Sequence, residues 1–226
     1  MKPTVAVFGP GKVGAVLAAL LVEAGFEVRV IGSHRAVGLG NYLDVVAPGA
    51  VAVTASEGAA ADIVLVAVPF HRLDELPWSE FTGRIVVDAT NYWPAAHGLL
   101  DTVERSPLST SELVAARNPA MHLVKSLNHL GYHELEEDHC PAGSPMRRAI
   151  AVAGDQPAAR AAVARLIDAI GFDPVDIGPL AAGRVLEPGH PLFGRELTAE
   201  ELRRECGPTR LPTDPQVPGP TARTEG

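Results

Sequence analysis

Cysteine is scarce in this 226-residue chain: Cys140 and Cys206 are the only two. They lie far apart and form no CxxC, so neither a disulfide framework nor a zinc ribbon can be built from them. Positive charge is also in short supply, with 19 lysines and arginines against 27 acids and a formal net charge of −8. Such a balance repels polyanions, so neither nucleic acid nor an anionic membrane surface is expected as a partner. The longest apolar run, residues 15–22, falls far short of the roughly 20 residues that a membrane helix needs. Met1-Lys-Pro-Thr leads straight into an apolar segment with no small-residue cleavage site, and a cytoplasmic protein is expected. No G-x-S-x-G elbow points to acyl transfer.

What is present describes a packed globular chain, 46% hydrophobic and 20% charged. Residues 4–8 are β-formers, Gly-Pro-Gly ends them, and residues 15–22 are helix formers. Gly25 stops that helix and residues 27–31 resume as a strand, closing a βαβ unit. A weak helix over 35–46 and a short strand over 50–54 follow. Residues 63–68 and 84–88 are unbroken apolar runs, as parallel strands covered on both faces require. Ser109-Thr-Ser-Glu112 has the spacing of a capping box and predicts a helix start. Strands are expected at 122–127, 149–153 and 173–177. An amphipathic helix over 157–170 would turn Ala161, Ala164, Leu166, Ile167 and Ile170 inward. The fold expected is α/β, a doubly wound Rossmann-type, mostly parallel sheet with a small C-terminal α/β extension. Residues 1–206 would form this domain, and the Pro-, Thr- and Gly-rich residues 207–226 a disordered tail.

Gly9-Pro-Gly11-Lys-Val-Gly14 lies between the first strand and the first helix and matches the dinucleotide fingerprint. In that fingerprint the first glycine makes the turn, the second admits the pyrophosphate, and the third brings helix onto strand. Amides opening the helix then face the anion. Binders of NAD place a carboxylate at the end of the second strand for the ribose 2′-hydroxyl. Here Ile31-Gly-Ser33-His34-Arg35 offers a hydroxyl, an imidazole and a guanidinium instead, which suit the 2′-phosphate of NADP(H).

Ligands of open α/β sheets bind beyond the carboxyl ends of the strands. Val68-Pro69-Phe70-His71 and Asp88-Ala-Thr90-Asn91-Tyr92-Trp93 occupy two such ends. Pro69 would shape the loop beside the nicotinamide. Thr90, Asn91 and Tyr92 either contact ribose and ring amide or satisfy local backbone, as Asn and Thr commonly do. Asn128 and His129 emerge from a third strand end as the far wall of the site. His129 and His133 are four residues apart, but Gly131 interrupts any helix between them and no metal site is assigned. A hydride-transfer enzyme needs little covalent machinery of its own, since the cofactor supplies the chemistry.

The glycine turn, Gly32-Ser-His-Arg35, Asp88-Ala-Thr-Asn-Tyr-Trp93, Val124-Lys-Ser-Leu-Asn-His129, Ala153-Gly-Asp155 and Gly171-Phe-Asp-Pro-Val-Asp-Ile-Gly-Pro-Leu180 follow one another in order. With them the chain resembles, over residues 4–188, the coenzyme F420-dependent NADP oxidoreductase family. The resemblance implies a homodimeric Rossmann protein that passes hydride between NADPH and the deazaflavin F420, a small-molecule substrate, with both rings in one crevice. It implies Gly9, Gly11, Lys12 and Val13 at the pyrophosphate, Ser33 and Arg35 at the 2′-phosphate, and Pro69 beside the nicotinamide. Asn128 and Leu130 would border hydride transfer. Archaeal members carry histidine where Asn128 stands and an apolar C-terminal wall where this chain has Gly189-His-Pro-Leu-Phe-Gly194. Two alternatives stand beside this reading: an NADPH-dependent reductase of a flavin, imine or ketone, and an NADPH-sensing module without chemistry.

Overall fold

The computed structural model describes residues 2–32 and 38–206. Strand β1 (Thr4–Phe8) leads into helix α1 (Lys12–Glu23), β2 (Glu27–Ile31), α2 (Leu39–Val46), β3 (Val51–Ala52), α3 (Ala55–Ala59) and β4 (Ile63–Val66). Two 3₁₀ turns, Phe70–Glu75 and Trp78–Phe81, then lead to β5 (Ile85–Asp88), α4 (Pro94–His97), α5 (Asp101–Glu104), α6 (Thr110–Ala115) and β6 (His122–Lys125). The C-terminal part holds α7 (Tyr132–Glu137), β7 (Ala149–Gly154), α8 (Pro157–Ala169), β8 (Asp173–Gly178), a 3₁₀ turn at Leu180–Leu186, and α9 (Ala199–Glu205). No helix among the described residues is long and apolar enough to cross a membrane.

The strands form one eight-stranded sheet in the order β3-β2-β1-β4-β5-β6-β7-β8. Its first six strands follow the doubly wound order 3-2-1-4-5-6, which reverses between β1 and β4 and opens a crevice there. β7 runs antiparallel to β6, and β8 runs parallel to β7, so the last two strands are the extension.

Alternation explains why both faces are dry. Val5, Val7, Ile63, Leu65, Val87 and Val124 share one core with α1 and α8, while Ala6, Phe8, Val64, Val66, Val86 and Leu123 share another with the 3₁₀ turns and α6. A strand buried on both faces must be apolar at every position, which is the unbroken pattern seen in β4 and β5. A third core under α9 joins Ala149, Ala151 and Val175 to Leu186, Leu192, Leu197 and Leu202.

Several expectations need correction. The strand expected over 50–54 shrinks to Val51–Ala52, because this edge strand pairs only with Arg29 and Val30. The strand expected over 122–127 stops at Lys125, and Leu127 turns the chain with φ +61, the one non-glycine residue at positive φ among the described residues. On α8, Ala161 is exposed and Ala164 only half-buried; Ala159 and Val163 take the inner face with Leu166 and Ile167. Turning Val163 inward buries more apolar area than turning alanine inward. The capping box at Ser109 is complete, with Ser109 Oγ accepting from the Glu112 amide and Glu112 accepting from the Ser109 amide at 2.8 Å. Residues 207–226 lie outside the described residues.

Candidate functional site

The cradle is built by backbone. Gly9 sits at φ +106, where a Cβ would lie 2.6 Å from the Ala67 carbonyl oxygen, so only glycine lets β1 and the end of β4 approach this closely. A Cβ on Gly14 would lie 1.9 Å from the Gly9 oxygen, so only glycine lets α1 start against the turn. Gly11 differs: nothing lies within 4 Å of where its Cβ would be. It is the N-cap of α1, no side chain caps the helix, and no acid sits in its first turn. Uncapped amides, a positive helix end and open space at the second glycine are what a pyrophosphate needs, so these residues fit a dinucleotide.

Beside the cradle lies a cleft of about 500 Å³ whose lining runs from Val13 on α1 through Ala89 and Asn91 after β5, Leu127 to Leu130 after β6, and on to Phe193, Gly194 and Glu196. It gathers Val13, Asn91 and the consecutive Asn128, His129 and Leu130 from three separate stretches of the chain into one wall. The strained Leu127 aims this segment: a left-handed non-glycine residue costs of order 1–3 kcal/mol, and such strain clusters at functional sites.

Asn91 and Asn128 clasp each other across the β5 and β6 ends. Asn91 Nδ2 donates to the Asn128 carbonyl at 2.8 Å, and Asn128 Nδ2 donates to Asn91 Oδ1 at 3.0 Å and to the Leu186 carbonyl at 2.7 Å. Below them Lys125 and Asp88 form a wholly buried ion pair at 3.3 Å. Lys125 Nζ also donates to the Thr90 carbonyl at 2.6 Å, and Asp88 accepts from Ser111 Oγ at 2.6 Å. Burial alone would push the Asp88 carboxyl up; the Lys125 charge and the hydrogen bonds from Ser111 and Thr90 outweigh it and hold the group below the usual carboxylate range. Burial pulls the His129 imidazole down to about 4, with the Ala149 backbone opposing and the Lys125 charge reinforcing that fall. His129 is therefore neutral at pH 7.

Other expected residues fare differently. Thr90 is buried and donates its hydroxyl to Asp88 at 2.7 Å, so local satisfaction takes that side chain and it is not offered to a ligand. Phe70 is likewise buried, its ring 5.5 Å from that of Tyr92. Tyr92 turns its hydroxyl to the Leu100 amide at 2.8 Å. Val68 is half-buried and Pro69 exposed at the β4 end. Lys12 is exposed and donates to Tyr132 Oη at 3.0 Å. Ser33, His34 and Arg35 lie outside the described residues. Among the described residues no three His, Cys, Asp or Glu side chains are placed to hold a metal ion, and His129 precedes α7 rather than sharing a helix with His133.

The residues that sequence reasoning missed come from far along the chain. Tyr132 meets Lys12 across 120 positions, and Phe193 packs edge-on against Trp93 with ring centroids 5.3 Å apart. Neither has a periodic or local signal.

Sheet order and glycine cradle together define a dinucleotide-binding Rossmann domain of the kind oxidoreductases use. Residues 4–92 match the model of the family described as NADP oxidoreductase, coenzyme F420-dependent. It is 31% identical over 193 residues to the metalloreductase STEAP3 of Rattus norvegicus, covering 82% of this chain and 36% of that protein. The chain thus spans about a third of that relative's length. Among solved structures, a hypothetical protein from Sinorhizobium meliloti is 29% identical with a TM-score of 0.73, over 86% of this chain and 95% of that one. A candidate F420-dependent NADP reductase from Arthrobacter sp. FB24 is 25% identical with a TM-score of 0.67, over 80% and 87% of the two chains.

Proposed function

We propose that this chain binds NADP(H) in the glycine cradle and exchanges a hydride between its nicotinamide and a deazaflavin of the F420 type held in the adjoining cleft. The observation that carries this reading is continuity: Val13, in the first turn of the cradle helix, also lines the cleft that ends at Trp93 and Phe193. NADP(H), when bound, supplies or receives the hydride. The protein's part is position and electrostatics. The amides that open α1 hold the pyrophosphate, while Ser33, His34 and Arg35 meet the 2′-phosphate. Pro69 shapes the loop beside the nicotinamide. Leu127 and Leu130 keep water from the reacting carbon, and His129 borders it as an uncharged ring. Trp93 and Phe193 offer aromatic faces to a planar ring, so the C-terminal segment that departs from the family's pattern still supplies an apolar wall. The homodimer belongs to the same reading, and light scattering on the full chain checks it.

Mixing purified chain, NADPH and F420 should bleach the deazaflavin's visible absorbance; no turnover in either direction rejects F420 as the acceptor. Arg35→Ala should weaken NADPH about 10- to 150-fold and NADH little, since a charge-assisted hydrogen bond contributes about 1.5–3 kcal/mol. Equal losses would reject the 2′-phosphate role.

A second reading keeps NADPH and changes the acceptor. Glu196 adds a carboxylate to the cleft wall, and one relative is named a metalloreductase. NADPH oxidation with a flavin, imine, ketone or ferric chelate, and none with F420, would select it.

A further inference from the structure

Among the described residues, Asn128 Oδ1 is a buried side-chain acceptor that lacks a hydrogen bond. Asn128 lines the cleft. Buried polar groups are almost always paired, and leaving one unpaired is costly. An unpaired acceptor on a cleft wall suits a ligand that can donate to it.

The orientation of Asn128 is settled by chemistry. Its Nδ2 faces the Leu186 carbonyl at 2.7 Å, an oxygen that can only accept. Exchanging the amide's nitrogen and oxygen would set two acceptors against each other there. Its second partner is fixed in the same way, because Asn91 Nδ2 faces the Asn128 carbonyl at 2.8 Å and so turns Asn91 Oδ1 toward Asn128 Nδ2. Both N–H bonds of Asn128 are thus committed, and Oδ1 is the atom left without a partner. That oxygen accepts and cannot donate. Only a ligand with an N–H or O–H donor completes it, and a primary carboxamide is such a group.

We propose that Asn128 Oδ1 accepts the carboxamide N–H of the nicotinamide and that Asn128 is therefore a specificity-determining residue for the nicotinamide ring. This inference rests on the NADP(H) reading above. Asn91 acts as the positioning residue that holds Asn128 Nδ2 and so leaves the oxygen free of a protein partner. A site built to hydrogen-bond an N–H discriminates strongly against an analogue lacking it, because the site's own polar group is then left unpaired.

Calorimetric titration of the full chain with NADP⁺ and with its 3-acetylpyridine analogue, in which methyl replaces the amide nitrogen, tests this. The wild type should prefer NADP⁺ by roughly 10- to 100-fold. Asn128→Leu, or Asn128→Ala if the larger side chain does not fold, should bind the two equally. Both variants should retain the wild-type affinity for 2′-phospho-ADP-ribose, which lacks the ring. Equal affinities in the wild type overturn the assignment without any variant, as does a preference that survives in the Asn128 variants. Failure of NADP⁺ and 2′-phospho-ADP-ribose alike to bind overturns the dinucleotide reading itself, which the ring-specific outcomes do not.

Discussion

The two halves of the site are made from different materials. The cradle is backbone: three glycines, a bare helix end and one close approach between β1 and the segment after β4. The far wall is side chain: a buried ion pair, an asparagine clasp and a neutral histidine, brought together from β5, β6 and the turn near Leu186. A backbone site tolerates no added atom where chain meets chain. A side-chain site depends instead on every buried polar group finding its complement.

The sharpest test of this contrast lies within the cradle, between two glycines three residues apart. Gly14→Ala places a methyl 1.9 Å from the Gly9 oxygen, a backbone atom that cannot move without moving the turn. Loss of several kcal/mol of stability is expected, on the scale reserved for overpacking and strained backbone. Gly11→Ala meets nothing within 4 Å, so thermal unfolding should stay close to wild type while NADPH affinity falls at least about tenfold. Unchanged affinity in Gly11→Ala would show that the open space at the second glycine is not where the ligand sits.

The same contrast explains what could be read in advance. The β1-α1-β2 unit, the apolar middle strands and the glycine cradle were legible because each depends on residues near one another in sequence. Thr54-x-x-Glu57 caps α3 with the same box that Ser109-x-x-Glu112 forms, so that short helix had a signal that went unread. The far wall had none. That Thr90 turns to Asp88 while Asn91 faces the cleft depends on Lys125 and Ser111, which lie 35 or more and about 20 residues away. Pattern cannot distinguish two adjacent polar residues whose roles are assigned by distant partners.

The far wall should show itself through pH. His129 is depressed from 6.5 to about 4, so between those values the unfolded chain binds a proton that the folded chain refuses. Stability that is present above pH 6.5 is therefore lost as pH falls toward 4, by about 3 kcal/mol in all. Asp88 contributes with the same direction but lower on the scale: its folded carboxyl is held below the ordinary value, so its share is lost only as pH falls through that lower value. His129→Leu should flatten the limb between pH 6.5 and 4 in denaturant unfolding curves and leave the more acidic limb in place. An unchanged upper limb would mean that the imidazole accepts its proton in the folded state.

The smallest effect lies where the two materials touch. Lys12, the first residue of α1, donates to Tyr132 Oη at 3.0 Å and lies 4.8 Å from the centre of the Tyr132 ring, so a cradle side chain is tied to a residue of the cleft wall. The hydrogen bond is the first cause, and the Tyr132 charge the second, that raises the Lys12 ammonium above its ordinary value. The bond is exposed, where solvent screens such a pair, so Tyr132→Phe should move the melting temperature by no more than about 2 °C. The phenyl ring keeps its place under the ammonium, and only the acceptor oxygen is lost. A lysine side chain carries large rotamer entropy, and an acceptor that holds it at the mouth of the cradle reduces what must be ordered when a phosphate arrives. NADPH affinity should therefore fall about two- to fivefold in Tyr132→Phe, and further in Lys12→Met, which removes the charge itself. A rise in affinity would show the opposite arrangement, with Tyr132 competing with the phosphate for Lys12 rather than presenting it.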